Sequence, residues 1–453
     1  MPSDCIRFFE KYDMKKNIIF YFSDQQRADT VDFELMPNLS ALAEDGVTFD
    51  KNITVQPICG PARACLQTGV YATKNGCFRN AVALPPSART LADYFGEAGY
   101  DTAYIGKWHL ASDNIPGRGI HCEKTAVPDE RAGHYRYRRM ADVLEFTSHG
   151  YGGYVFDENG VKIEFDGYRA DAINGFALEY LDNRDRDKPF FMFISQLEPH
   201  HQNDRGRFEG YIPTVENYKN APVPEDLSFL DGDYREQLPD YLSAINRIDY
   251  NLGLLVEKLK EQGIFDDTVI VYTSDHGCHF KTRNLEYKRC CHDNTVRTPL
   301  VIRGGGFEGG IHYTGLSSLL DLPPTLLSLA GIDVPSYYDG CDLKKIKDGE
   351  IPERDCVYIQ ISESQCGRAV RTAKYTYSVK APTATGYLMR ESRVYVEDYL
   401  YDNEKDPYQK NNLIKDPGYA DVRKQLRVLL KREAKKIGEM NFTILPAVIT
   451  KKR

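Results

Sequence analysis

Four absences in this chain of 453 residues each remove a class of protein. No stretch reaches the roughly 20 consecutive apolar residues that a membrane-spanning helix needs, so a membrane partner is not expected. Positive charge is not in excess. Lys and Arg number 58 against 66 Asp and Glu, a formal net charge of −8. That excludes a protein that holds nucleic acid or an anionic membrane by its overall field. The 11 cysteines contain no Cys-x-x-Cys pair, which leaves no support for a zinc ribbon or a thioredoxin-like motif. Cys290 and Cys291 are adjacent and too close to bridge easily, so most thiols are expected to be small buried side chains in a reducing compartment. Finally, Met1 to Lys16 mixes charges with scattered apolar residues and has no apolar core of the signal-peptide kind. Met14, before Lys15 and Lys16, could serve as a second start. The expectation is a cytoplasmic protein.

What is present is globular. Hydrophobic residues make up 42% and charged residues 27%, and the length suits one large domain plus an appendage. There is no internal repeat and no low-complexity tract. Strand and helix signals alternate. Asn17 to Ser23 is an apolar run that reads as a buried strand. Pro37 opens a helix through Asp45, closed by Gly46. A helix over Thr90 to Ala98 precedes a strand over Thr102 to Ile105. A helix over Arg169 to Asn183 precedes a strand over Phe190 to Ser195. The longest amphipathic pattern, Leu242, Ile245, Ile248, Leu252, Leu255 and Leu259, predicts a helix from about Pro239 to Gln262. Strands over Thr268 to Thr273 and Leu300 to Arg303 follow. This alternation predicts an α/β fold: a large mixed, mainly parallel sheet sandwiched by helices. Ligands of such sheets sit at the carboxyl ends of the strands, where Asp24, Lys107 and Asp275 fall.

After residue 350 the texture changes. Val357 to Ile361, Ala369 to Val379 and Val394 to Leu400 read as short β segments, and Val422 to Lys436 as a basic helix. The expected division is a catalytic domain over 1–350 and a smaller C-terminal α+β subdomain over 351–453, with an antiparallel sheet.

The chemistry-bearing segments are six. Cys59-Gly60-Pro61-Ala62-Arg63 places a thiol at the start of a helix, because Pro61 suits a first turn. Free N–H groups and the helix dipole favour an anion there, and Arg63 adds a cation with directional donors. These residues alone fit equally a reactive low-pKa cysteine or a structural one. Ser23-Asp24-Gln25-Gln26-Arg27 and Ser274-Asp275-His276-Gly277 each end a strand. They can hold a divalent cation with two carboxylates, an amide oxygen and an imidazole, or merely cap loops. Gly106-Lys107-Trp108-His109 contains the only tryptophan. Glu198-Pro199-His200-His201 offers a histidine suited to protonate a leaving group near neutral pH. Lys288 precedes Val296-Arg297-Thr298-Pro299-Leu300.

Taken in order, these segments resemble the formylglycine-dependent sulfatases of the alkaline phosphatase superfamily, over positions from about 17 to about 415. The signature Cys-x-Pro-x-Arg continues as Leu66-Gln67-Thr68-Gly69. The usual serine after the proline is Ala62 here, which bears on which maturation enzyme recognises the site. The C-terminal match is Leu400-Tyr401-Asp402, Asp406-Pro407 and Asn411-Asn412-Leu413. The resemblance implies that a maturation enzyme oxidises Cys59 to formylglycine. It implies metal ligation by Asp24, Gln25, Asp275, His276 and the converted side chain of Cys59. It also implies sulfate binding by Lys107 and Lys288, a hydrogen bond from His109 to the formylglycine hydroxyl, and protonation of the leaving alcohol by His200, with His201 as the alternative. Lys107, Lys288 and Arg63 would offset the charge of the sulfate.

Gln25 and His276 stand where aspartate and asparagine are frequent in the family. That makes the site less calcium-like and more tolerant of manganese, although calcium remains the first expectation. Relatives that cleave phosphonate monoesters and phosphodiesters carry similar variants, so such a hydrolase is the nearest alternative. A non-catalytic binder of sulfated sugars, with Cys59 left as a thiol, is the second. The expected substrate is a small sulfate ester or short sulfated oligosaccharide. The 31 tyrosines suit stacking on sugar rings but serve equally as core and surface residues. Arg283 and His292 are possible sugar contacts, but read more simply as solvated loop residues.

Overall fold

The structure is a computed structural model that describes residues 15–115 and 119–447. The expected lack of a leader over the first residues lies outside this range. Two sheets organise the chain. The strands of the large sheet are β1 (Asn17–Ser23), β2 (Val47–Ile53), β3 (Asp101–Lys107), β4 (Tyr137–Ala141), β5 (Tyr151–Phe156), β6 (Lys162–Tyr168), β7 (Phe190–Ser195), β8 (Thr268–Ser274), β9 (Arg297–Thr298), β10 (Leu300–Arg303) and β11 (Ile311–Ser318). They run in the order β11-β2-β10-β8-β1-β7-β3-β4-β5-β6, with β9 beside β2. The centre, β8-β1-β7-β3-β4, is parallel throughout. Antiparallel pairs flank it on both sides. The sheet is therefore mixed and mainly parallel, as the alternation of strand and helix signals implies.

Period-two alternation along β1 shows how the sheet is covered on both faces. Ile18, Phe20 and Phe22 point into one core, which also holds the helices Leu91–Glu97 and Leu322–Leu329. Ile19 and Tyr21 point into the other, under the helices Pro37–Asp45, Arg169–Asn183 and Tyr234–Glu261. The last of these begins five residues before the expected start at Pro239, which lies inside it. Proline usually opens a helix, but here Tyr234, Leu238 and Tyr241 are buried on the same face. Their packing carries the helix through the proline.

The second sheet contains β12 (Cys356–Ile361), β13 (Gly367–Thr372), β14 (Tyr375–Lys380), β15 (Val394–Asp402) and β16 (Thr443–Leu445). The segment expected as one strand over Ala369 to Val379 is instead a hairpin, β13 to β14. β12 to β15 pair antiparallel, and β16 adds to β15 in parallel. This sheet does not own a separate core. Val357, Ile359 and Val370 share one cluster with Ile53, Val55 and Cys65 from the large sheet and the helix Cys59–Thr68. The helix is thus pressed between the two sheets, and all ten of its residues are buried.

One glycine is demanded by this packing. Gly106, near the end of β3, has φ of 109°, and a Cβ there would collide with the Ser195 carbonyl oxygen of β7. Gly106→Ala is expected to push β3 away from β7 and move Lys107, lowering soluble yield and abolishing any activity that depends on that lysine. Ile248, fully buried in the long helix, provides a measure of the core. Ile248→Ala should cost about 2–5 kcal/mol, read as a lower urea midpoint with an unchanged transition slope.

Candidate active site

Four parallel strands deliver their carboxyl ends to one place. β1 ends before Asp24, β8 before Asp275, β3 on Lys107 and β7 on Ser195. The helix Cys59–Thr68 points its start at the same spot. Its first turn has no side-chain cap from Ile58. The Gly60 N–H donates instead to Asn80 Oδ1 at 2.9 Å, which satisfies one of the free donors of a helix start.

Asp24 is fully buried and is held by cations. Its Oδ2 accepts from Arg63 Nη2 at 3.0 Å and lies 2.9 Å from Lys107 Nζ. Its Oδ1 faces Cys59 Sγ at 3.4 Å. Burial and the Cys59 sulfur push its acidity down, but the cations Lys107 and Arg63 outweigh them and hold the carboxyl below its usual range. Arg63 is locked in turn by the Lys107 carbonyl at 2.9 Å and Ser195 Oγ at 2.6 Å, and its guanidinium lies over the Phe22 ring at 5.0 Å.

Asp275 has less support. Its Oδ1 accepts the N–H groups of Gln25 and His276 at 3.0 and 2.9 Å, and its buried Oδ2 has no hydrogen-bond partner. Burial and the neighbouring Asp24 raise its pKa. His276 Nδ1 sits 3.0 Å from the Gly277 carbonyl. A proton on Nδ1 donates there and leaves the Nε2 lone pair facing Cys59 Sγ at 3.3 Å. Gln25 has a left-handed backbone, φ 69°. Its side-chain oxygen lies 3.5 Å from Lys288 Nζ.

Donor atoms of Asp24, Cys59, Asp275 and His276 all lie within 4.8 Å of one another. Two carboxylates, one with an oxygen that has no hydrogen-bond partner, and an imidazole nitrogen turned towards them are a donor set that fits a divalent cation. Gln25 adds an amide oxygen beside them.

The remaining expected residues close around this floor. Lys288 Nζ lies 2.8 Å from Cys59 Sγ and 3.0 Å from His200 Nε2. Burial disfavours the Cys59 thiolate, but the ammonium groups of Lys107 and Lys288 outweigh it and hold the thiol well below its usual range, with a hydrogen bond from His109 assisting. Burial and Lys288 push His200 down to about 4. Trp108 is buried, with its Nε1 donating to the Arg131 carbonyl at 2.9 Å and its ring edge-on to Tyr104 at 5.0 Å. It anchors the segment, and the left-handed backbone of His109, φ 61°, follows it. A cleft of about 330 Å³ opens above, bordered by Cys59, His109, His200, His201, Lys288 and Tyr287. His201 packs its ring against Tyr287 at 4.3 Å.

Arg283 and His292 do not reach this cleft. Arg283 donates to the carbonyls of Gln409 and Tyr408, and His292 is buried 3.1 Å from the Tyr401 hydroxyl. Both make structural contacts away from the cleft, and His292 is buried where a solvated loop residue was the simpler expectation. Glu145 and Asn80 were not singled out from sequence, and Glu198 stood in one of the six chemistry-bearing segments without a role. Glu145 is buried against Lys107 at 3.2 Å, and the Lys107 ammonium outweighs burial and brings its pKa to about 2. Asn80 caps the Cys59 helix. Glu198, buried with Arg169 at 2.9 Å, braces the turn that carries His200. A lone Glu or Asn in a loop has no periodic signal. Only the need of buried Lys107 for counter-charge hints at Glu145.

Comparison with known proteins agrees with this geometry. The sulfatase family pattern matches residues 16–332. A second pattern, described as N-sulphoglucosamine sulphohydrolase, C-terminal, matches residues 284–436. An ulvan-active sulfatase of Formosa agariphila is 29% identical, covering 96% of this chain and 84% of its own. An N-acetylglucosamine-6-O-sulfatase of Bacteroides thetaiotaomicron is 26% identical, covering 96% and 88%. A solved structure in complex with its substrate, D-glucosamine-2-N,6-O-disulfate, shares the fold with a TM-score of 0.79 at 24% identity, over 93% of this chain and 98% of that one. With most of its length under the family pattern and the strand ends, the helix start and the charged cluster gathered as described, the chain belongs to the sulfatase family.

Proposed function

We propose that this protein hydrolyses the sulfate monoester of a small or short carbohydrate, with residue 59, converted to formylglycine by a maturation enzyme, as nucleophile. The observation that carries this reading is the convergence of Asp24, Cys59, Asp275 and His276 at the floor of a cleft lined by cations and histidines. The carbohydrate is supported by relatives named for ulvan and N-acetylglucosamine-6-O-sulfate. Asp24, Gln25, Asp275 and His276 would hold a divalent cation, calcium first and manganese second. When bound, that ion polarises the sulfate group as a Lewis acid. Buried thiols at nine of the ten described cysteines support a reducing, cytoplasmic setting. The division near residue 350 falls between the end of β11 at Ser318 and the start of β12 at Cys356, which supports it.

The protein's own groups divide the work. Lys107 and Lys288 neutralise the sulfate oxygens at the buried floor of the cleft, where charge is strongly felt. Arg63 fixes Asp24 and Lys107. A hydroxyl of the hydrated aldehyde attacks sulfur, giving up its proton to water in the cleft, and the bond from sulfur to the alcohol oxygen breaks. His200 gives its proton to that departing oxygen. Burial and Lys288 hold His200 neutral in the resting site, and the negative charge of a bound sulfate opposes them by favouring the imidazolium. His109 takes the proton of the second hydroxyl as sulfate leaves and the aldehyde re-forms.

Peptide mass spectrometry across Cys59 to Arg63, on protein co-expressed with a maturase, should find an aldehyde at position 59. That protein should cleave an aryl sulfate faster than an aryl phosphonate ester. An unmodified thiol alongside a converted control sulfatase, or phosphonate cleavage at an equal or higher rate, overturns the reading. His200→Ala is expected to lower kcat by about 10²–10⁴ on an alkyl sulfate. On nitrophenyl sulfate, whose leaving group needs no proton, the loss should be far smaller.

A further inference from the structure

Two residues near the cleft share an uncommon backbone conformation and hold each other by their side chains. Arg289 has φ of 69° and Glu363 has φ of 63°. Non-glycine residues enter this left-handed region rarely, and they persist there where the surroundings over-determine them. Arg289 directly follows Lys288. Glu363 lies in the loop between β12 and β13, on the second sheet.

The contacts join three segments. Arg289 Nε and Nη2 lie 2.9 and 2.6 Å from Glu363 Oε2, and Nη1 pairs with Glu286. Each nitrogen of this guanidinium thus faces a carboxylate, so Arg289 borders the cleft as a strut and not as an anion contact. Its backbone is tied as well. The Arg289 N–H donates to the Pro57 carbonyl at 3.2 Å, two residues before Cys59, and Ser364 Oγ donates to the Arg289 carbonyl at 2.8 Å. The other oxygen of Glu363 accepts the Asn80 N–H at 2.8 Å. Asn80 in turn accepts the Gly60 N–H with its side chain. One carboxylate from the second sheet therefore grips the loop of Lys288 on one side and the start of the Cys59 helix on the other.

We propose that Glu363 is a positioning residue for the reaction, fixing the Lys288 ammonium through Arg289 and residue 59 through Asn80. This rests on the sulfatase reading above. Lys288 Nζ has to stay near residue 59 and His200 at once, and small misplacements of such groups cost much of a rate. The second sheet is on this account a working part of the site, although it places no catalytic side chain there.

The test is a mutant cycle on matured protein with nitrophenyl sulfate. Glu363→Gln keeps the shape and the acceptor for Asn80 but removes the charge that holds Arg289. It should lower kcat by about 10–100-fold with KM nearly unchanged, and in a Lys288→Ala background it should change kcat by less than about threefold. Arg289→Lys, which keeps the charge but loses the fork, should behave likewise and serves if Glu363→Gln folds poorly. An equal fold loss in both backgrounds, or wild-type kcat in the single variants, overturns the proposal. If the wild-type protein turns over no sulfate ester, the functional reading fails by itself. Crystal structures of the wild type and Glu363→Gln then decide the clamp: displacement of Lys288 from residue 59 supports it, and an unmoved lysine overturns it.

Discussion

The structure turns on a buried carboxylate that cannot stand alone. Asp24 is shut off from water at the end of the central strand, where an unpaired charge would be prohibitively costly. Arg63 and Lys107 meet the same oxygen of it. Those two cations come from a helix and from β3, so satisfying one charge fixes the helix against the sheet and β3 against β1. Lys107 then needs Glu145, and Arg63 needs Ser195 and a backbone carbonyl. The cluster reads outward from Asp24 as a chain of obligations, each met by a residue from a different element.

The parallel centre of the sheet makes this possible. Four neighbouring strands end on one edge, so their last residues lie side by side without any loop having to reach far. The chain is acidic overall at −8, yet its cleft is lined by Lys288 and floored by Arg63 and Lys107. An anionic substrate is therefore attracted only at short range, once it is within the cleft mouth.

The sequence reveals those parts of the fold that have a local cause. β1, β7 and the helix Arg169–Asn183 match their expected bounds because uninterrupted apolar runs or a clean helical stripe define them. β5 and β6 escaped notice because they are half exposed, and a stretch such as Lys162–Tyr168 carries little apolar signal. Proline misleads in the same local way: Pro239 marks a helix start in isolation, but packing of Tyr234 and Leu238 overrides it. In the site, residues set in recognisable segments, from Asp24 to Lys288, gather as the resemblance implies. Asn80, Glu145 and Glu363 do not belong to such segments. Their meaning arises only when distant loops meet, which no window of sequence contains.

Cys59 is 1% exposed at the bottom of a cleft of about 330 Å³, on a helix enclosed by both sheets. A small ester can reach that depth, but another protein's active site cannot. The proposed conversion of this cysteine therefore has a deadline. It would have to happen while the segment is still an open chain, because in the folded protein residue 59 is enclosed in whichever form it then has. Maturation and folding would compete in time, and the proportion of working molecules would record which came first.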